Sequence, residues 1–137
     1  MHPEARTLLE SDALVHMATI NADGSPQVSA VWVGLDGDDI VSAHMMRRLK
    51  VRNVERDPRV VLSIEGTGLN ERGLKEYLVV HGRARIEEGG AAALLQRLAH
   101  TYLGPDVVFT GRDIPAAAGF IMRITPERFG GVGPWAA

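Results

Sequence analysis

The sequence predicts a mainly β (α+β) fold, a small closed or half-open barrel of about six antiparallel strands crossed by short helices. Three observations predict it: short segments rich in Val, Ile and Trp recur along the chain, Asp-Gly turns separate the first of them, and only brief segments have helical periodicity. With 137 residues, 45% of them hydrophobic, the chain is long enough for one domain spanning residues 1–137.

The first half of the chain predicts two helices on either side of a three-stranded meander. Pro3 is well placed in the first turn of a helix. Asp23-Gly24 predicts a tight hairpin turn, because this pair tolerates positive φ angles. The basic segment that follows the meander has helical periodicity and ends before Pro58. The predicted elements are a helix at 3–12, strands at 14–20, 27–35 and 40–44, and a helix at 45–56.

The second half predicts three more strands, a third helix and two irregular segments. Leu94, Leu95 and Leu98 form an apolar stripe typical of a helix. The segment 66–76 is polar and holds three glycines, which predicts a mobile loop. Residues 129–135 have the composition of a glycine-rich tail. The predicted strands lie at 60–65, 77–86 and 119–125.

Composition excludes several classes of function. A net charge of -2 and a pI near 6.2 give no overall attraction to nucleic acid or to anionic membranes. The chain has no cysteine, which excludes disulfides, thiolate nucleophiles and Cys-ligated metals. No leader pattern and no 18-residue apolar stretch occur, so we expect a cytoplasmic protein without a membrane span.

The motifs of common active sites are missing. The five histidines are scattered without the spacing of a helical metal site, so no metal is expected. There is no nucleophile elbow, no phosphate-binding P-loop and no dinucleotide fingerprint. Paired acidic residues lie in turns, where solvated loops are the common case.

One basic segment, Arg47-Arg48-Leu49-Lys50, stands out. It follows a predicted strand that ends at Ser42-Ala43-His44, at the expected start of a helix. Unsatisfied N–H groups and the positive end of a helix dipole favour an anion there, so the segment predicts a phosphate site. Within a continuous helix, Arg47 and Lys50 share one face. The alternative is a solvated cationic face, which is the commoner fate of such a run.

A similar choice concerns the strand residues Gln27, Val28 and Ser29. Polar side chains at 27 and 29 are either the wet face of a half-buried strand or the lining of a cofactor site. The pattern alone leaves both interpretations open.

An ordered set of motifs resembles the pyridoxamine 5'-phosphate oxidase-like split-barrel family. Within that family, the chain most resembles the small members that use the deazaflavin F-420 in place of FMN. The resemblance covers nearly the whole chain. The motifs that carry it are Ala18-Thr19-Ile20, Asp23-Gly24-Ser25-Pro26-Gln27-Val28-Ser29-Ala30-Val31-Trp32, the Arg48-x-Lys50-x-Arg52-Asn53 helix, Asp57-Pro58-Arg59-Val60, His81-Gly82-Arg83-Ala84 and Thr125-Pro126-Glu127-Arg128.

The resemblance implies a six-stranded antiparallel split β-barrel that forms a homodimer, with two cofactor sites at the subunit interface. It assigns Lys50 and Arg48 to the phosphate, and Ser42, Ala43 and His44 to the strand end beside it. The family commonly has Ser-Thr where this chain has Ser42-Ala43, so one hydroxyl is missing. The remaining implied cofactor contacts are Gln27, Val28 and Ser29 against the ring, and Arg47, Asn53 and Trp135.

The implied function is an F-420-dependent oxidoreductase that transfers a hydride between the reduced deazaflavin and a small, electron-poor organic substrate. Arg47, Arg52 and Arg56 are candidate contacts for the anionic cofactor tail. No residue is assigned a catalytic role. Trp135, with Trp32 and Tyr77, covers the ring or the substrate from the partner subunit. The alternative is that Trp32 packs in the core, which is favoured for that residue, and that Trp135 is a dimer contact or a disordered end. The alternatives are an FMN-dependent oxidoreductase or oxidase, and a non-catalytic flavin- or haem-binding module.

Overall fold

The computed structural model describes residues 1–109 and 114–136, which form seven strands and three helices. The connection after the third helix therefore lies partly outside the described residues. The elements are α1 (Pro3–Leu9), β1 (Val15–Ile20), β2 (Pro26–Val31), β3 (Gly34–Asp36), β4 (Asp39–His44), α2 (Leu49–Arg56), β5 (Arg59–Leu69), β6 (Lys75–Glu88), α3 (Ala91–Tyr102) and β7 (Phe120–Val132).

The strands form one antiparallel sheet in the order β2-β1-β5-β6-β7-β4-β3. β2 and β3 are the two outermost strands of this order, yet only Trp32 and Val33 connect them. Three Cα steps from Val31 to Gly34 span at most about 11 Å. The sheet must therefore curl until its two edges come close together. The predicted mainly β, antiparallel, barrel-like fold with short helices is confirmed.

The strand predicted at 27–35 is two strands, which raises the number of strands from six to seven. At the break, the Val33 N–H donates to the Tyr102 hydroxyl at 3.2 Å, and that hydroxyl lies 3.4 Å from the Val33 carbonyl oxygen. The Trp32 ring stacks on the Tyr102 ring, with centroids 5.3 Å apart. A side chain of α3 thus replaces a strand partner at the point where the chain crosses between the sheet edges.

The loop predicted at 66–76 is wrong. β5 continues to Leu69 and pairs there with Lys75 at the start of β6, so only a short turn separates the two strands. Gly66 and Gly68 lie against Glu76, and a Cβ on Gly68 would come within 2.6 Å of the Glu76 carboxylate. These glycines permit close approach of the neighbouring strand, which composition alone does not distinguish from loop flexibility.

The glycine-rich tail predicted at 129–135 is also mostly wrong. β7 runs to Val132 and pairs with β6 along its whole length. The register shifts beside Gly82, which faces Pro126, while His81 faces Arg128. Glu127 is therefore the extra residue of a bulge, and a bulge accommodates a proline that cannot donate to the ladder.

The core fills the inside of the curled sheet. Its members are fully buried aliphatic side chains at alternating positions of the central strands, closed at one end by α1. α3 packs outside the barrel on β4. In the described part of the chain, no helix has both the length and the apolar character needed to cross a membrane. The largest core side chains include Met17, Leu62, Ile64, Leu78, Met122 and Ile124.

Candidate functional site

A cleft of about 440 Å³ opens where β2, β4, α2 and α3 approach one another. One end is polar, with His44 and Lys50, and the other is aromatic, with Trp32 and Phe109. A space of this size falls within the range of small-molecule sites. The remaining lining residues are Leu14, Ala30, Val31, Ala43, Leu95 and Leu98.

The polar end is formed where β4 gives way to α2. The helix begins at Leu49, four residues later than predicted. β4 ends at His44, as predicted, and residues 45–48 form an irregular connection before the helix. Arg48 is the N-cap residue, with extended backbone and no side-chain capping bond. The first N–H groups of α2 therefore have no side-chain cap, and Arg47 precedes the helix instead of sharing a face with Lys50.

Lys50 is half-buried at this end and makes no ion pair with any carboxylate in residues 1–109 or 114–136. Burial, and then the charge of Arg48, lower the pKa of its ammonium group below the usual value. Both effects penalise the charged form. The charged form of Lys50 is therefore disfavoured by its surroundings, and a bound anion would offset this.

Ser42 and His44 lie beside Lys50 at the end of β4. The Ser42 Oγ is 2.7 Å from the His44 Nε2, and Ser42 is almost fully buried. Burial first, and the charge of Lys50 second, lower the pKa of His44 to about 4. The imidazole is therefore neutral at neutral pH. Ala43, between them, also lines the cleft.

The two arginines before the helix differ in their contacts. Arg47 forms an ion pair with Glu55 and lies 3.8 Å from Glu88, and its guanidinium sits 4.6 Å above the Phe120 ring. Arg48 is exposed, and its Nη2 lies 3.4 Å from the Met46 sulfur. Arg47 is thus held by groups of its own chain, whereas Arg48 extends beside Lys50 with no carboxylate partner in the described residues.

Gln27, Val28 and Ser29 lie on β2, an edge strand whose one partner within residues 1–109 and 114–136 is β1. Alternate residues of such a strand turn both backbone polar groups away from the sheet. Val28 is 62% exposed, and Gln27 accepts a hydrogen bond from Thr19 at 3.1 Å. The Ser29 hydroxyl is buried with no hydrogen-bond partner among the residues described.

Asn53 does not line the cleft. It is fully buried on the barrel side of α2, where its amide donates to Thr19 at 3.0 Å and to Asn21 at 2.9 Å. Its carbonyl oxygen accepts a bond from Arg56 at 3.2 Å. Asn53 therefore ties α2 to β1.

Trp135 lies away from the cleft as well. It is 9% exposed within the core cluster, and its indole N–H donates to the Tyr77 carbonyl oxygen at 3.1 Å. Within its own chain, Trp135 is a packing residue.

The sequence profile of the pyridoxamine 5'-phosphate oxidase family matches residues 1–132. The chain belongs to this family. The family has a flavin-binding oxidoreductase fold, and some of its members are non-catalytic. No curated protein sequence matches the chain.

Solved structures agree with this membership. An F-420 reductase is 30% identical to the chain, with a TM-score of 0.73, and the match covers 91% of this chain and 94% of the reductase. A conserved hypothetical protein of Mycobacterium tuberculosis is 24% identical over 96% of this chain and 83% of its own, with a TM-score of 0.73. A FAD-binding protein of Mesorhizobium loti, at 18% identity, covers 96% of this chain and 93% of its own with a TM-score of 0.67, which shows the fold alone.

The sequence left Trp32 between packing and covering a ligand, with packing favoured. In the structure Trp32 packs against the α3 cluster, stacks on Tyr102 and also lines the cleft. Phe109, 5.4 Å from Trp32 between ring centroids, adds a second ring. Leu95 and Leu98 were predicted as a packing stripe, and they form the wall contributed by α3. Helical periodicity finds such an apolar face but does not tell a core from a binding wall.

Proposed function

We propose that this chain binds F-420 in the cleft and transfers a hydride between the reduced deazaflavin and a small, electron-poor organic substrate. The observation that carries the proposal is Lys50, a half-buried cation with no ion pair in the described residues, beside Arg48. A phosphate between these two side chains would relieve the desolvation of Lys50 and the repulsion between the charges.

The phosphate end has further suitable groups. The uncapped first turn of α2 offers backbone N–H donors next to Arg48. Ser42 offers a hydroxyl, although in the structure it is bonded to His44. Ala43 has no hydroxyl. This donor set fits one phosphate group.

The ring end fits a flat heterocycle. The outward backbone groups of β2 can bond the polar edge of a flavin-type ring. The buried Ser29 hydroxyl is unsatisfied in the described residues, and a buried polar group left unpaired costs roughly 1–3 kcal/mol. The Ser29 side chain lies on the same face of β2 as Gln27, and a ring edge that reaches this face would supply the missing partner. Val28 lies on the opposite, exposed face.

A homodimer completes the proposal. Large apolar side chains are exposed on the elements that border the cleft: Val28 is 62%, Met46 59% and Leu49 43% exposed. A second copy seated on this surface would bury them and cover the open side of the cofactor site.

The chemistry divides simply between cofactor and protein. When bound, the deazaflavin supplies two-electron hydride transfer from its ring. The chain holds the phosphate with Lys50 and Arg48, orients the ring against β2 and excludes water with the apolar and aromatic walls of the cleft. We assign no catalytic acid or base.

F-420 is preferred to FMN because the F-420 reductase is 30% identical to this chain over 91% of its length. Of the three candidate contacts for the anionic tail, Arg47 and Arg56 are engaged within the chain, by Glu55 and by Asn53. Arg52 is exposed on the first turns of α2 and is the remaining candidate. An FMN-dependent oxidoreductase and a non-catalytic flavin- or haem-binding module are the competing outcomes.

The test is a titration of the purified protein with F-420, FMN and haem, followed by fluorescence or absorbance. We expect F-420 to bind most tightly and to be turned over with electron-poor acceptors. Tight binding of FMN without F-420 would contradict the choice of cofactor. Binding of F-420 with no turnover of any acceptor would favour the non-catalytic alternative, and no binding of either flavin would overturn the proposal.

A further inference from the structure

The polar end of the cleft holds a second group besides Lys50 that responds to charge, the imidazole of His44. His44 lines the cleft, and its Nε2 is 2.7 Å from the Ser42 Oγ. Ser42 is 1% exposed, so this hydroxyl has little access to water and its position is fixed by β4. Ser42 and His44 share one face of β4, whereas the Ala43 side chain lies on the other face, with the α3 cluster.

The side chains near the imidazole come from α2, β7 and α3, with Arg47 farther away. From α2, Lys50 faces it across the cleft, with Arg48 behind. From β7, the register partner is the uncharged Phe120. From α3, the lining side chains are Leu95 and Leu98. Beyond Phe120 lies Arg47, neutralised by Glu55 and Glu88. The charges that act on the imidazole in the described residues are therefore mainly positive.

We propose that His44 is a proton-accepting member of the phosphate site: it is neutral without a ligand, and an anion bound beside Lys50 favours its protonation at mildly acidic pH. The inference rests on the proposed function, because it requires a phosphorylated cofactor in the cleft. Protonation of His44 would make the affinity for the cofactor depend on pH. The charges of Lys50 and Arg48 do not produce such a dependence.

The hydrogen bond to Ser42 explains how the proton is used. In the neutral state the Ser42 hydroxyl donates to the unprotonated Nε2. Once Nε2 takes a proton from solvent, it donates to the Ser42 oxygen instead, and the hydroxyl proton turns toward the phosphate. One proton is gained from solvent and one N–H bond forms on the imidazole, while no other covalent bond changes. The Ser42 hydroxyl is then free to donate to an anion at the end of β4.

The direction of the effect follows from linkage. Burial and Lys50 hold the pKa of His44 near 4 in the empty site, and an anion within about 4–6 Å raises such a pKa by roughly 1–3 units. The extra affinity is complete below the pKa of the empty state and is lost as the pH rises through the pKa of the bound state. A rise of two units would strengthen binding roughly tenfold between pH 8 and pH 5.

The experiment measures the Kd of F-420 and of FMN from pH 5 to pH 8 for the wild-type protein and for His44→Gln, which keeps a hydrogen-bonding amide but does not titrate. The ligands' own ionisations affect both proteins equally. We expect the ratio of the two affinities to rise several-fold toward pH 5. Calorimetry in two buffers of different ionisation enthalpy should show proton uptake on binding near pH 5.5 that is smaller in His44→Gln.

The outcomes separate this inference from the proposed function. Parallel pH profiles and equal proton uptake in the two proteins would overturn the role of His44 and leave the cofactor site intact. Failure of the wild-type protein to bind either flavin at any pH would overturn both. Ser42→Ala provides a second check, since it removes the hydroxyl but not the imidazole. It should lower the affinity while proton uptake persists, and an unchanged affinity at pH 5 would contradict the proposed turn of the hydroxyl.

Discussion

The two sides of α2 differ in how their polar groups are satisfied. On the barrel side, Asn53 is fully buried, and its amide makes three hydrogen bonds within the chain. On the cleft side, Lys50 is half-buried without an ion pair in the described residues. A polar group satisfied by its own chain stabilises the fold, whereas one left unsatisfied at a cleft is available for a ligand. Lys50 and Asn53 belong to the same sequence motif, and this contrast indicates that Lys50 is a binding residue and Asn53 a structural one.

The largest effect is expected for Asn53→Ala. Removing the amide takes a hydrogen-bond donor from the buried Thr19 hydroxyl and the partly buried Asn21 side chain and leaves a cavity, so the free energy of unfolding should fall by about 2–4 kcal/mol. Denaturant titration measures this change. Asn70→Ala is the matched control, because Asn70 bonds only the backbone of an exposed turn and water can replace it. Loss of F-420 binding with unchanged stability would instead make Asn53 a cofactor contact.

Lys50→Ala should have the opposite profile. If Lys50 makes a charge-assisted contact with phosphate, binding of F-420 should weaken by roughly 1.5–3 kcal/mol, while stability of the empty protein is unchanged or slightly raised. Titration of ligand and thermal unfolding measure the two quantities. Lys75→Ala is the control, since Lys75 is the other lysine of the chain and is exposed on β6. Equal affinity for F-420 in the two variants would indicate that the basic segment is a solvated surface and not a phosphate site.

The comparison also shows how far the sequence could predict the site. The order of strands, turns and helices follows from periodicity and turn residues, and a basic segment after β4 follows from spacing. The face on which each basic residue lies depends on where α2 begins. Because α2 begins four residues later than predicted, Lys50 lies in the helix and Arg47 lies before it. The strand before the helix ends at His44, as predicted, and residues 45–48 form an irregular connection. Periodicity alone did not distinguish this connection from the first turn of the helix.

The length of the strands was the other feature beyond local pattern. Glycine-rich stretches at 66–76 and 129–135 have the composition of loops, yet both continue strands of the β5-β6-β7 sheet. There the missing side chains allow close approach of a neighbouring strand. Trp135 is buried for the same reason, because extension of β7 brings it back onto the core.

His44 should make the stability of the folded protein depend on pH. Its pKa in the empty folded protein, about 4, lies below the usual value of 6.5, so the unfolded chain binds a proton that the folded protein does not. Stability is therefore greatest above about pH 6.5 and should fall by about 1–2 kcal/mol between pH 7 and pH 5 on this account. Denaturant titrations of wild type and His44→Gln measure the difference. An equal pH dependence in both proteins would contradict it, and saturating F-420 should reduce it.

The smallest effect is expected for Arg47→Ala, which tests the contrast within one short segment. Arg47 has carboxylate partners and lies over Phe120, so its loss should lower the free energy of unfolding only slightly, as solvent screens an exposed ion pair. Because Arg47 is satisfied within the chain, F-420 affinity should change less than about twofold, far less than in Lys50→Ala. Stability should also become less sensitive to salt in this variant, because the lost interaction is one that ions screen.

A loss of F-420 affinity comparable to that of Lys50→Ala would show that the Arg47–Glu55 ion pair opens when the cofactor binds. An ion pair within the ligand-free protein would then not by itself exclude a residue from the cofactor site.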